Sequence, residues 1–450
     1  MLKQIKLTNF KSFSDTQELE IKPITILIGP NSSGKSSLLQ PFLMLKQTVD
    51  SRDVTSPLVV NGSYVKLSTY ESFIYKHDLT KLLGVDFTFF GKNPFVGGLK
   101  DLKEGDCKVK TQFVYNKFQK RTELNSAEIS FLDESIYLER VKLKRGVKYQ
   151  ATISYRNERK SLSGEFLKHV LRVAPFKFYG ISPSMIGRAR RIPWEAQKVA
   201  FVIQQLVEEF INNINYIGPL RENPKTLYVS GGELRKDVGL KGEYATDVLW
   251  AQSQGSRKDK LLLKRVNHWI QQFGLGSSIK LKPLGRQRQT GFFQLIIRNL
   301  KTAIDATIND VGFGVSQVLP LIVEGFYSRP DSSLFIEQPE IHLHPKVQAD
   351  LGDLFIELAG QGRRIIVETH SEHLLSRLAR RVVEGKTFTK DDLAIYYFSP
   401  EAENTLPKRI YINELGQFEN WPEGFFQEDY LEALVHSRLI AEKLKQKERA

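Results

Sequence analysis

Cysteine is almost absent from this 450-residue sequence: Cys107 is the only one. That excludes an internal disulfide framework and suits a reducing compartment. No apolar run approaches the roughly 20 residues that a membrane-spanning helix needs. The opening MLKQIKLTNFKSF alternates like a strand and lacks a signal-peptide pattern. A cytoplasmic location without a membrane partner is therefore expected. Repeats, low-complexity segments and sustained heptads are also missing, which argues against a solenoid and against a long coiled coil. What is present is ordinary for a globular chain: 41% hydrophobic and 26% charged residues, with length enough for two or three lobes. The formal net charge is +14. A basic surface concentrates polyanions, so DNA or RNA is an expected partner class. The closing KLKQKERA is short enough to read as a solvated helix end.

The texture of the chain changes along its length. Residues 3–10 and 18–28 read as strands, and a helical pattern follows from Gly34 through Leu38, Leu39, Phe42, Leu43 and Leu45, with Pro41 inside it. Between 58 and 180, short alternating stretches such as Val85–Phe89, Val109–Tyr115, Ala127–Phe131 and Tyr149–Ser154 predict an antiparallel meander. Residues 195–213 predict an amphipathic helix and 244–273 a further helical stretch, with strands at 278–283 and 291–298. From 315 onward helix and strand alternate (315–327, 334–337, 346–359, 364–368, 371–381, 393–398), the mark of a parallel sheet. The expected parts are 1–57, the start of an α/β core; 58–194, a β-rich insertion; 195–300, a helical and small-strand region; and 301–450, the rest of the core.

The first chemistry-bearing motif is Gly29-Pro-Asn-Ser-Ser-Gly34-Lys35-Ser36, which matches G-x-x-x-x-G-K-[ST]. Its glycines let backbone N–H groups turn inward around phosphates, and the following helix points its positive end at them. Lys35 is placed to reach the β- and γ-phosphates of a nucleotide, and the Ser36 hydroxyl to ligate magnesium. The apolar strand before the motif and the apolar-periodic helix after it are the context such a loop requires. ATP with Mg²⁺ is therefore the expected ligand, held by Asn31, Ser32, Ser33, Gly34, Lys35, Ser36 and Ser37.

Residues 333–345, SLFIEQPEIHLHP, form an apolar strand ending in an acid. An acid at that end, beside the phosphate loop, holds magnesium or its water, so Ser36 and Glu337 are the expected metal residues. Gln338, Pro339 and Glu340 follow. The strand Ile365–Val367 then ends in Glu368, Thr369 and His370, and a histidine there is placed to sense the γ-phosphate and orient attacking water. Glu337, Gln338, Glu340 and His370 are thus the catalytic candidates. His342 and His344 lack Cys or acidic partners at metal spacing, so packing or helix-start roles are expected for them. His373 is expected on a helix surface.

Taken together these blocks resemble the ABC-type ATPases of the SMC and RecF class. They resemble more closely the short prokaryotic AAA-family proteins related to OLD (overcoming lysogenisation defect) and to the ATPase of the Septu anti-phage system. The resemblance covers nearly the whole chain. It runs from Ile5-x-Leu7-x-Asn9-Phe10-Lys11-Ser12-Phe13 and GPNSSGKSS, through Tyr70-Glu-Ser-Phe73 and Tyr216–Arg221, to Asp310–Gln317, EQPEIHLHP, ETHSEHLL and Asn420–Phe426. It implies an ABC/SMC-head-like P-loop fold with a mixed or parallel sheet core, an antiparallel β-rich lobe, a helical insertion and no long coiled coil. It also implies a head-to-head oligomer in which Ser316, opening a signature helix, meets the γ-phosphate held by the other protomer. Glu337 takes the Walker B place and His370 the switch-histidine place.

Two departures stand out. Glu337-Gln338 replaces the usual Asp-Glu, and glutamine cannot take a proton from water. Either Glu337 or Glu340 is then the base, or hydrolysis is slow. About 80 residues follow His370, too few for the nuclease domain that OLD proteins carry, so no intrinsic nuclease is expected. The leading functional expectation is an ATPase that controls an effector from a neighbouring gene in anti-phage defence. A DNA-repair ATPase clamping duplex DNA is the alternative. A transporter subunit ranks last, given the roughly 300 residues between Lys35 and Glu337.

Overall fold

The structure is a computed structural model, which describes residues 1–92, 104–143, 147–156, 166–181, 193–254, 260–284, 291–312, 314–399 and 406–422. The closing helix and the Phe425-Phe426 block expected from the sequence lie outside these residues, as does Phe313.

The centre is a seven-stranded sheet in the order Ile214–Ile217, Ser333–Glu337, Arg364–Glu368, Ile24–Ile28, Leu393–Tyr397, Lys408–Ile412, Phe418–Glu419. Its first five strands are parallel and the last two antiparallel. Burial on both faces explains their near-continuous apolar sequence. The pleat sorts side chains between two cores. Ile24, Ile26, Ile28, Ile336, Ile365 and Val367 face the helices Gly314–Tyr327, Pro345–Gly360 and Glu372–Glu384. Leu27, Phe335 and Ile366 face the helices Lys35–Asp50 and Trp194–Asn212.

The second sheet has nine strands, all antiparallel, with Leu2–Phe10 paired to Leu83–Lys92 and the meander running outward to Phe166–Val173. Phe42 on the helix Lys35–Asp50 joins the two sheets. Its ring meets Phe335 edge-on at 5.7 Å and Phe87 at 5.4 Å. The helix continues through Pro41. A smaller four-stranded sheet holds Tyr228–Val229, Ser278–Pro283, Phe292–Arg298 and Asp305–Thr307.

The expected α/β layering, antiparallel lobe and helical insertion are all present, and among the described residues no helix exceeds the 19 residues of Trp194–Asn212. No described helix is long and apolar enough to cross a membrane. Two details differ from expectation. The 244–273 stretch contains two helices, Ala245–Gln254 and Lys260–Gln272. The strands Glu134–Lys142 and Phe166–Val173 were not legible. In FLKHVLRV the apolar residues fall at helical spacing, yet eight residues pair with Val147–Arg156, because tertiary pairing overrides a short local pattern.

Candidate functional site

The site lies where the parallel strands end. Ile24–Ile28 leads into a loop whose backbone only glycine adopts easily at two points. Gly29 has φ +145° and Gly34 φ +99°. A Cβ on Gly29 would stand 2.4 Å from the Phe398 carbonyl oxygen, and one on Gly34 3.0 Å from Ser12 Oγ. The loop therefore curls into a cradle that side chains would fill. Gly34 caps the helix Lys35–Asp50, no side chain bonds its first N–H groups, and its first turn holds no acidic residue. A helix start with that composition suits a negative charge beside it. Asn31 and Ser32 are exposed at the crest, while Ser33, Lys35 and Ser37 are buried. Ser33 Oγ is buried without a hydrogen-bond partner.

Lys35 is 3% exposed and donates from Nζ to the carbonyl oxygens of Gly29 (3.0 Å) and Pro30 (2.7 Å). Glu368 Oε1 lies 3.9 Å away. Burial lowers the Lys35 pKa, with Glu368, Glu340 and Glu337 opposing it. Burial likewise raises that of Glu368, opposed by the Ser36 hydrogen bond and by Lys35. Both groups are pushed toward neutrality, so this ion pair only partly offsets its own desolvation.

Three carboxylates converge here, each with different partners. Glu337 and Glu368 are register neighbours at the ends of adjacent strands. Glu337 Oε1 accepts from the Tyr216 hydroxyl at 3.1 Å, and Arg221 Nη2 donates to the Glu337 carbonyl oxygen at 3.4 Å. Burial, then the charge of Glu368, pushes the Glu337 carboxyl up to about 7, against the opposing pull of Tyr216, Arg221 and Lys11. Burial also lowers the Arg221 guanidinium to about 10. Glu340 holds the neighbouring turn: its Oε2 accepts from Thr369 Oγ1 at 2.8 Å and its Oε1 from the His370 N–H at 2.6 Å. Glu368 Oε2 accepts from Ser36 Oγ at 2.7 Å.

Gln338 turns the chain at φ +45° and donates its N–H to the Glu368 carbonyl oxygen at 2.7 Å. Burial and then Lys35 lower the His370 pKa, and its Nε2 is buried without a partner. Ser371 caps the following helix by accepting from the Leu374 N–H.

Lys35, Ser36, Glu337, Glu340 and His370 thus gather at one place. Ser316 is buried in the first turn of the helix Gly314–Tyr327. Among the described residues no group of three or more His, Cys, Asp or Glu side chains stands in metal-holding geometry. Magnesium needs no such cage, since it takes one or two carboxylates and leaves the rest to phosphates and water. His344 caps the helix Pro345–Gly360, its Nδ1 accepting from the Lys346 N–H at 3.3 Å, which is the helix-start role expected. His373 lies half-buried on the helix Glu372–Glu384. Sequence reasoning missed Glu368, Tyr216 and Lys11 as site residues. The polar strand end Glu368-Thr369-His370 was the available signal, and only its histidine drew attention. A cavity of about 730 Å³ lies elsewhere, lined by Trp269, Asp353, Glu357, Arg381 and Phe388 among others, and no phosphate-loop residue lines it.

No curated protein matches this chain. Among solved structures it is similar to an SMC head bound to the C-terminal winged-helix domain of ScpA, at 11% identity and a TM-score of 0.45, covering 91% of this chain and 98% of that one. It is also similar to the SMC head domain from Thermotoga maritima, at 9% identity and a TM-score of 0.37, covering 91% and 99%. A third is an Smc head with an extended coiled coil, bound to the C-terminal domain of ScpA derived from Pyrococcus furiosus, at 10% identity and a TM-score of 0.39, covering 97% and 99%. The family model "Protein of unknown function (DUF3696)" matches residues 389–430. The model described as "AAA domain, putative AbiEii toxin, Type IV TA system" matches residues 24–376, from the phosphate-loop strand past His370, and the chain belongs to that AAA-domain family.

Proposed function

We propose that this chain is a magnesium-dependent ATPase whose heads pair across bound ATP, and that pairing controls a separate effector, a nuclease or toxin from a neighbouring gene, in anti-phage defence. The observation that carries the nucleotide reading is the uncapped helix start under Gly34, with buried Lys35 inside it and carboxylates at the ends of the next two strands. The orphaned Ser33 Oγ and His370 Nε2 fit a ligand rich in acceptors. The defence reading draws on the OLD and Septu resemblance and on the family description, which names a toxin of a toxin–antitoxin system.

In this reading Lys35 leaves the Gly29 and Pro30 carbonyls for the β- and γ-phosphates. Magnesium, when bound beside Ser36, would neutralise charge building on the phosphates. Glu337 is the base: a carboxyl held near pH 7 suits proton removal at neutral pH better than one at the ordinary value. Gln338 orients the attacking water without accepting its proton. Glu340 sets the turn that carries His370, and His370 meets the γ-phosphate through Nε2. Ser316 completes the site on the other protomer. With glutamine where a second carboxylate is usual, turnover is slow and ATP works mainly as a switching ligand.

Sedimentation of the full chain with and without Mg·ATP tests this. The wild type should shift to a dimer or larger with ATP, and Ser316→Arg should not. A wild type whose mass ignores ATP contradicts pairing. Co-purification with the product of the adjacent gene supports effector control. The net charge of +14 favours one second reading, clamping of duplex DNA, which predicts ATP-dependent and salt-sensitive DNA binding instead.

A further inference from the structure

Resting on that nucleotide reading, we infer that Glu368, and not Glu337, is the carboxylate that sets the phosphate-loop serine for magnesium. The sheet order is the starting point. Arg364–Glu368 lies directly beside the phosphate-loop strand, whereas Ser333–Glu337 lies one strand further away. Neighbouring strands are about 4.8 Å apart. An acid at the end of the nearer strand reaches Ser36 directly, and Glu368 does so at 2.7 Å.

The chemistry of the hydroxyl gives the contact its meaning. A serine hydroxyl has one proton to donate and two lone pairs. With its proton committed to Glu368 Oε2, Ser36 Oγ presents its lone pairs away from that carboxylate. This is the orientation a hard cation needs from an oxygen ligand. The Glu368 charge behind the hydroxyl strengthens it as a donor to metal, as outer partners of metal ligands do. The other two acids have different contacts. Glu337 accepts from Tyr216, and Glu340 is bonded through both oxygens to Thr369 and His370. Glu368 is itself held in place, since its carbonyl oxygen accepts the Gln338 N–H at 2.7 Å and its side chain is almost wholly buried. It is a positioning residue that acts through Ser36.

The test is equilibrium binding of a fluorescent ATP analogue to the full-length protein, titrated with Mg²⁺ and repeated in excess chelator. Glu368→Gln keeps an acceptor for Ser36 and loses only the charge; Glu368→Ala loses both. The wild type should bind more tightly with magnesium. Both Glu368 variants should lose about tenfold or more of that enhancement, with Glu368→Ala losing more, while metal-free affinity is unchanged or tighter because a negative charge has left the phosphate site. Glu337→Gln should keep more of the enhancement than either Glu368 variant. Glu368 variants that keep the full magnesium enhancement would overturn the inference while leaving the ATPase reading intact. So would variants that lose magnesium-bound and metal-free affinity equally, the mark of a merely structural residue. A wild type that binds no ATP would overturn both.

Discussion

Replacing Glu324 by glutamine should remove one sharp component of this protein's pH-dependent stability. Glu324 sits on the helix Gly314–Tyr327 with 1% of its surface exposed. Its Oε2 accepts from the Val238 N–H at 2.8 Å, which ties that helix to the segment between Arg221 and Ala245, and its Oε1 is buried without a partner. Burial pushes the carboxyl from 4.5 to about 8, only partly opposed by the Val238 hydrogen bond and the charges of Lys46 and Arg363. The sign follows from linkage. In the unfolded chain the group ionises near its ordinary value, while the fold keeps it protonated, so the stabilising contribution is complete below about pH 4.5 and is lost progressively as pH rises to about 8. Each pH unit inside that window costs about 1.4 kcal/mol, so pH 6 to 7.5 costs about 2 kcal/mol from this side chain alone. Glutamine is of similar shape and carries no titrating proton. Whatever the offset caused by its amide, the slope contributed by position 324 should vanish. Thermal unfolding of both proteins across this range should show the wild type losing roughly 2 °C relative to Glu324→Gln between pH 6 and 7.5. A chain with several lobes need not unfold in two states, so the difference between the curves is the quantity to compare. Parallel curves would refute the reasoning and mean that Glu324 is ionised in the fold.

Three further outcomes are expected. Gly34→Ala puts a Cβ at φ +99° and 3.0 Å from Ser12 Oγ; it should lower stability by about 1–2 kcal/mol and abolish ATP binding, and an alanine variant that binds normally would refute the cradle. Glu340→Gln turns an amide toward the Thr369 hydroxyl and the His370 N–H; turnover should fall about tenfold or more with ATP affinity nearly kept, read as kcat against KM. Tyr216→Phe removes a donor that favours the charged form of Glu337; the acid limb of the kcat/KM profile, which reports the free enzyme and is centred near pH 7 in the wild type, should move to higher pH, and an unmoved limb would show that Glu337 is not the base.

Much of the core was legible because parallel strands buried on both faces must be continuous apolar runs. Arg364–Glu368 matches its expected bounds, and Ser333–Glu337 and Leu393–Tyr397 differ from theirs by one residue at one end. The phosphate loop was legible because its geometry demands glycine at positions 29 and 34. Outer strands of the antiparallel sheet were harder. Phe166–Val173 is an edge strand, has one neighbour and needs no clean alternation. The role of Glu368 was hidden for another reason. Which of two strand-end acids stands next to Ser36 depends on strand order, and chain order does not reveal that the later strand inserts between Ser333–Glu337 and Ile24–Ile28. Tyr216 and Lys11 come from segments far away in sequence and reach Glu337 only through the fold.

The central claim is that the cradle around Lys35 holds magnesium-bound ATP. Its most direct test is equilibrium binding of Mg·ATP to the wild type and to Lys35→Ala. The account predicts saturable binding by the wild type and at least about thirtyfold weaker binding by the variant, the loss expected when one partner of a desolvated charge pair is truncated. Equal affinity of the two proteins, or no binding by the wild type, would contradict it.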